Sequence, residues 1–210
     1  LAAHPRVSFF ERPLDSFSAQ RNFGIDQAKQ EWVFHCDSDE RFTPALAKEI
    51  KAKISSDDGP AAWNVVEKFF WRVARISFID GPWGGGVKLH KRTGFRFTGS
   101  IHERINTSIQ VGILNQPIEH HTHLTLDQMI SKYMDYSLRE ARAAIAATPP
   151  VTVSIPQLFL RPAKRLFGFI FIRRAYRDGV PGILWAFLQA FSRFLTCAKI
   201  LAITYGFENL

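Results

Sequence analysis

Three carboxylates fall within four residues at the end of the run Glu31-Trp32-Val33-Phe34-His35-Cys36-Asp37-Ser38-Asp39-Glu40. Asp37 and Asp39 offer hard oxygen ligands of the kind that bind Mg²⁺ or Mn²⁺ together with substrate phosphates. The aromatic and apolar residues before them predict a short buried strand. Carboxylates at the C-terminal end of such a strand stand where open α/β sheets hold their ligands. The competing reading is a solvated acidic turn that merely caps the next helix, because paired acids are common in turns.

Other residues that could do chemistry come later in the chain. Glu103 sits in the polar turn Ser100-Ile101-His102-Glu103-Arg104-Ile105. Partial burial between Ile101 and Ile105 would raise its pKa toward that of a general base. A salt bridge to Arg104 or a nearby lysine is the alternative. His102 could orient Glu103, bind a phosphate or simply pack. His120, His121 and His123 cluster beyond a predicted strand, and His120 is a candidate third metal ligand set against a structural role. A metal-dependent hydrolase using His102, Glu103 and His120 is therefore a second chemistry to weigh, although no H-E-x-x-H is present.

The elements that must position these groups follow from patterning. Residues 6–10 read as a short strand broken by Pro13. Ser16 or Ser18 caps a helix running to about Lys29, and Thr43 with Pro44 starts another, with Leu46, Ile50 and Ile54 on its buried stripe. Residues 63–79 predict one or two strands, with further strand-like pieces at 87–90, 95–97 and 111–118. A helix spans 126–147 and ends at Pro149-Pro150. Two apolar helical stretches follow, at about 158–176 and 183–205. The lysines and arginines among them fail the criterion of an uninterrupted apolar membrane span.

Composition narrows the class. The chain has 210 residues, 46% hydrophobic and 22% charged, as in an ordinary globular protein. Its net charge of +8 is uneven: residues 155–210 hold eight Lys or Arg against two acids. That basic, aromatic quarter suits an anionic membrane surface, the alternative being helices packed on the domain. No nucleic-acid recognition motif is present, so nucleic acid is not expected as a partner. Cys36 and Cys197 have no metal spacing and fit a reducing compartment. No basic segment followed by an apolar run opens the chain, so no signal peptide is expected.

The runs Phe17-Ser18-Ala19-Gln20-Arg21-Asn22 and Trp32 to Arg41 resemble the middle of family 2 glycosyltransferases, in the branch that builds bacterial lipopolysaccharide core and related cell-surface glycans. There a Q-[RK]-N helix precedes a strand ending in D-A-D-E. Further similarity keeps the family's order: Trp83 before Val87-Lys88-Leu89-His90-Lys91-Arg92, then Ile101-His102-Glu103, Pro117-Ile118-Glu119-His120 and Tyr176-Arg177-Asp178-Gly179. Lys88 and His90 depart from the family's Arg and Phe.

The resemblance implies an α/β fold of the GT-A (Rossmann-like) type, incomplete at its N-terminus. A partial catalytic domain over 1–123 and a helical C-terminal extension over 124–210 are expected. It implies transfer of a sugar from a nucleoside diphosphate donor, a UDP-sugar first, to a glycan or lipid-linked acceptor, by a metal-assisted inverting mechanism. Mg²⁺ or Mn²⁺ would sit on Asp39, with Asp37 nearer the ribose or a metal-bound water and His120 as the third candidate. Arg21, Asn22, Asp37, Trp83 and Lys88 would contact the donor, and Glu103 would be the base. Trp83 could equally anchor the core, and Glu40 could serve structure by capping the Thr43 helix or orienting Arg41. The location implied is cytoplasmic, peripheral at the inner face of the bacterial membrane. The chain opens where the family's first βαβ units would end, and a segment without them is expected to lack transfer activity.

Overall fold

The computed structural model describes residues 5–13, 15–56, 59–80, 86–99, 104–105 and 110–207. Residues 6–10 lie outside regular structure rather than in the expected strand. Phe10 instead meets the edge of the Phe23 ring at 5.4 Å. Helix α1 (Phe17–Gln27) begins where Ser16 Oγ accepts the Ala19 N–H at 3.1 Å. Strand β1 (Trp32–Phe34) runs into the acidic turn, and a two-residue strand, β2 (Glu40–Arg41), leaves it. Helix α2 (Pro44–Ile54) starts as its sequence signals require, with Thr43 Oγ1 accepting the Leu46 N–H at 3.1 Å.

The remaining strands are β3 (Ala62–Trp71), β4 (Ala74–Arg75), β5 (Val87–Lys91), β6 (Phe97–Thr98), β7 (Arg104–Ile105) and β8 (Val111–Thr122). The architecture is mixed α/β. The main sheet runs β1-β5-β3-β8-β2, with β4 folded back on β3, while β6 and β7 form a separate pair. Only β3 and β8 pair in parallel among the described residues.

Two irregularities in this sheet shape the site. Trp63 stands opposite Leu89 but Asn64 opposite Val87, so Lys88 is the extra residue of a bulge. Val65 faces Leu114 and Glu67 faces Ile118, so β8 carries two additional residues between them. The bulged N–H groups of Asn115 and Gln116 donate to the Glu49 carboxylate of α2 at 3.0 and 2.7 Å. Pro117, with no N–H to leave unpaired, accepts from Thr43 Oγ1 at 3.1 Å. Bulges bend a strand and re-aim its side chains, often beside active sites.

Two cores flank the sheet. Leu46, Trp63, Val65, Leu89, Leu114 and Ile118 pack beneath α2 with Ile50 and Ile54, the stripe read from the sequence. Gly112 is required there, because a Cβ would come within 2.3 Å of the Trp63 ring. On the other side, Phe69, Trp71, Ile76 and Phe78 meet Met129 of α3 (Leu126–Ala146) and Trp185, Ala186 and Leu188 of α5 (Gly179–Thr204). The helical extension therefore shares a core with the sheet. Helix α4 (Ile155–Phe167) continues into a wider turn over Gly168–Ile172, and Arg174 takes a left-handed conformation at φ 59° before α5. The Asp178 carboxylate ties this corner to the sheet, accepting from Ser77 Oγ at 2.5 Å and the Phe78 N–H at 3.1 Å.

One expectation is corrected here. The stretch Ala175–Thr204 is long and apolar enough to cross a bilayer by length and composition, despite Arg193 and Lys199. A third of its apolar window is buried against the rest of the chain, and the remainder is not.

Candidate functional site

The acidic turn is closed by its own residues. Glu40 N–H donates to Asp37 O at 3.0 Å, and Asp37 N–H donates to Glu40 Oε2 at 2.8 Å. Glu40 thus braces the turn rather than capping α2. Across the sheet it stands opposite His120 in the β2–β8 ladder, and the His121 N–H donates to Asp39 O at 2.7 Å. Directly opposed antiparallel residues share a face, which brings His120 to the acidic turn. Asp39 Oδ2 lies 3.1 Å from His120 Nε2.

Beneath the turn lies Lys88, 2% exposed, displaced from the β3 ladder by its bulge. Its ammonium pairs with Glu40 and lies 3.6 Å from Asp37 and 3.8 Å from Glu67. Glu67 comes from β3, two residues before Phe69, which is paired with His120, and its carboxylate lies 3.8 Å from His120 Nδ1. Arg21 reaches over from α1 to Asp37 at 3.4 Å, its guanidinium also resting on the Phe97 ring. Asp37, Asp39, Glu40, Glu67, Lys88, Arg21 and His120 therefore meet where the acidic turn crosses strands β5, β3, β8 and β2.

The charges explain the protonation states. Burial disfavours the Asp37 carboxylate, but Lys88 and then Arg21 outweigh it and hold its pKa below the usual value. Burial likewise opposes charge on His120. The donation of His120 to the Glu67 carboxylate and the charges of Asp39, Glu67 and Glu40 overcome this and raise its pKa. Counted at their ordinary charges, four carboxylates against Lys88 and Arg21 leave two negative charges when His120 is neutral and one when it is protonated. One divalent cation balances the former.

The donor atoms suit such an ion. Glu40, Glu67 and His120 each offer one ligand atom within 4.8 Å of the others. Glu40 is occupied by Lys88 and the Asp37 N–H, whereas Asp39 and His120 remain partly open, with 39% and 27% of their side chains exposed. Carboxylate oxygens with one imidazole fit Mg²⁺ or Mn²⁺.

Two imidazoles, His90 buried and His35 half-buried, lie beside this cluster. His90 Nδ1–H donates to Lys91 O at 2.8 Å, so its Nε2 accepts from His35 Nε2–H at 2.9 Å. Burial first, and then the His90 and Arg21 charges, push the His35 pKa down to about 3, and burial lowers that of His90. Both rings are neutral at ordinary pH and pack on Phe97.

Among the sequence candidates, Arg21, Asp37, Asp39, Lys88 and His120 come together here. Asn22 is engaged elsewhere: its amide accepts from the Phe97 N–H and donates to Phe97 O, both at 2.9 Å. Trp83, His102 and Glu103 lie outside the described residues. His121 pairs with Glu119 at 3.0 Å and stacks on Phe70. Glu67 is the residue that sequence reasoning missed. It is the one acid in the largely aromatic and β-branched strand Ala62–Trp71, which also carries Asn64 and Lys68.

No known protein family's profile matches the chain. It is similar to a protein of Rickettsia typhi, 21% identical over 214 residues, covering 95% of this chain and 72% of that protein. A Rickettsia bellii protein is 23% identical over 202 residues, covering 90% and 68%. One from Rickettsia conorii is 21% identical over 201 residues, covering 90% and 71%. All three are named uncharacterized glycosyltransferases.

Proposed function

We propose that this chain is a glycosyltransferase of the family 2, GT-A type. It moves a sugar from a nucleoside diphosphate donor, a UDP-sugar first, to a glycan or lipid-linked acceptor of the cell surface, with inversion. The observation that carries the reading is the convergence of Asp37, Asp39, Glu67 and His120 around buried Lys88 where the acidic turn crosses the sheet. The likeness to proteins named glycosyltransferases over nine-tenths of the chain supports it.

Breaking the bond to a nucleoside diphosphate builds negative charge on the leaving phosphates. A bound Mg²⁺ or Mn²⁺ supplies neutralising charge at that point. Asp39 and His120 are the side chains that would hold it, with Asp37 beside them. Lys88, buried among carboxylates, favours the ionised form of Asp37 and pairs with Glu40, so its part in donor binding is indirect. Arg21, at the rim, offers a guanidinium to the donor phosphates in exchange for its long contact with Asp37. The acceptor hydroxyl loses its proton to Glu103, the base that the resemblance assigns.

The reading includes the membrane surface. Phe159, Leu160, Phe167, Phe171 and Ile172 are exposed along α4 and its continuation, beside Lys164, Arg173 and Arg174. Exposed apolar groups flanked by cations suit a helix lying in an anionic interface. Titration of the chain with UDP in the presence and absence of Mn²⁺ tests the function: saturable binding that requires the ion is expected. Binding that ignores the ion, or is unchanged in Asp39→Ala, would refute the metal-assisted donor site.

A further inference from the structure

A cavity of about 270 Å³ lies between the sheet and the helical extension, and His120 forms part of its wall. His120 is thus shared, with Asp39 on one side and the cavity on the other. The rest of the lining divides by chemistry. Trp185, Tyr136 and Phe69 contribute aromatic surface, while Lys132, Arg165 and Arg193 contribute cations. Glu140 is the one carboxylate in the wall, and it accepts a hydrogen bond from Thr196. Among the described residues no carboxylate lies within ion-pair distance of the three cations.

The polar groups are oriented as well as present. Arg165 Nη2 donates to Gln189 Oε1 at 3.1 Å, and Gln189 Nε2 donates to the Tyr133 hydroxyl at 2.9 Å. Tyr133, used as an acceptor, keeps its own O–H for a ligand, and burial pushes its pKa up to about 12, so it stays protonated. The Nε1–H of buried Trp185 has no acceptor among the described residues, a deficit that native folds seldom leave unmet. Arg165 and Arg193 also line an adjoining groove with Arg161, Lys164 and Arg173, so positive potential extends outward from the cavity.

We infer that this cavity is the acceptor site, and that the acceptor is a saccharide carrying a phosphate. The phosphate lies among Lys132, Arg165 and Arg193, and the sugar ring lies against Trp185 and Tyr136 with a hydroxyl directed past His120. The inference rests on the glycosyltransferase reading. In the transfer, the acceptor oxygen bonds to the donor's anomeric carbon, and the bond from that carbon to the diphosphate breaks. The electron pair leaves with the nucleoside diphosphate, and the hydroxyl proton passes to the carboxylate base. A pocket of this size suits one ring with its substituent, at the small end of ligand sites. Planar guanidinium groups bind phosphate through paired hydrogen bonds, which supplies the specificity.

Calorimetric titration of the chain with glucose 1-phosphate and with glucose tests this. Saturable binding of glucose 1-phosphate, at least about tenfold tighter than that of glucose, is expected. Arg165→Gln/Arg193→Gln should weaken it at least about tenfold, with circular dichroism and Mn²⁺-dependent UDP binding unchanged. Tyr133→Phe, a smaller change in the same wall, should weaken it by a lesser factor. Equal affinity for glucose and glucose 1-phosphate, or indifference to both variants, would overturn the proposal. Vesicles of phosphatidic acid in phosphatidylcholine should not displace glucose 1-phosphate; displacement would assign the cations to lipid headgroups and overturn the saccharide. Loss of UDP binding with glucose 1-phosphate binding intact would count against the transferase reading alone, and the converse against this site alone.

Discussion

Asp39 Oδ2 lies 3.1 Å from His120 Nε2, although the two residues are 81 positions apart. The β2–β8 ladder makes the contact: Glu40 is paired with His120, and the His121 N–H holds the Asp39 carbonyl. Because backbone bonds set this geometry, Asp39→Ala should leave the fold intact. It should abolish Mn²⁺-dependent UDP binding, because a carboxylate ligand of the ion is removed. Near-normal Mn²⁺-dependent UDP binding would move the ion elsewhere.

Lys88 is expected to be the most costly single loss in the site. Its ammonium is 2% exposed and serves Glu40, Asp37 and Glu67 together. Lys88→Met would leave buried carboxylates without a counter-charge, at a cost of about 3–5 kcal/mol. Adding Glu40→Gln should recover part of that loss, because the pair is coupled. Urea denaturation of the two single variants and the double variant measures the coupling. Strictly additive effects would contradict the pairing.

Asn22 separates a structural role from a functional one. Its amide makes two hydrogen bonds to the Phe97 backbone, joining α1 to β6. Asn22→Ala should cost about 1–3 kcal/mol while leaving UDP affinity within about twofold. A large loss of affinity at unchanged stability would return Asn22 to the donor site, where the family resemblance puts it.

How far the sequence disclosed this arrangement depends on the kind of information each residue carries. Caps are local, so Ser16 and Thr43 announced α1 and α2, and the stripe Leu46, Ile50, Ile54 announced the face that α2 buries. Asp37 and Asp39 were visible because both acids stand together at the end of an aromatic run. Glu67 was not, because what aims it is the β8 register shift opposite Val65 and Glu67, a property of two strands at once. The strand expected at residues 6–10 had suitable residues but has no pairing partner among the described residues. Pairing is a non-local property, and propensity alone does not supply it.

The pH dependence of stability follows from four shifts. His35, lowered to about 3, and His90, also lowered, bind fewer protons folded than unfolded as pH falls below 6.5. Stability is therefore lost across the window from about pH 6.5 down to about 3, by on the order of a few kcal/mol. Asp37, also lowered, adds to the loss as pH falls below its ordinary 3.8. His120, raised, acts in the opposite sense: its contribution is complete below 6.5 and fades as pH rises through its folded value. His90→Phe should flatten the acid limb. Denaturant midpoints measured from pH 8 to pH 4 give the answer, and an acid limb unaffected by this substitution would show that the imidazole pair does not govern it.

The exposed face of α4 makes a separate claim. Phe167, Phe171 and Ile172 are 57–73% exposed next to Arg173 and Arg174. Apolar side chains so placed cost solubility unless something covers them, and an anionic cover is what we propose from the adjacent cations. Each basic residue near such a surface contributes about 1 kcal/mol, so Arg173→Glu/Arg174→Glu should weaken binding to phosphatidylglycerol vesicles by at least about thirtyfold. High salt should release the wild-type chain, because the cation contribution is screened. Phe171→Ser/Ile172→Ser should weaken binding without altering its salt dependence. Extraction that required detergent would instead show that Ala175–Thr204 enters the bilayer, as its length and composition allow.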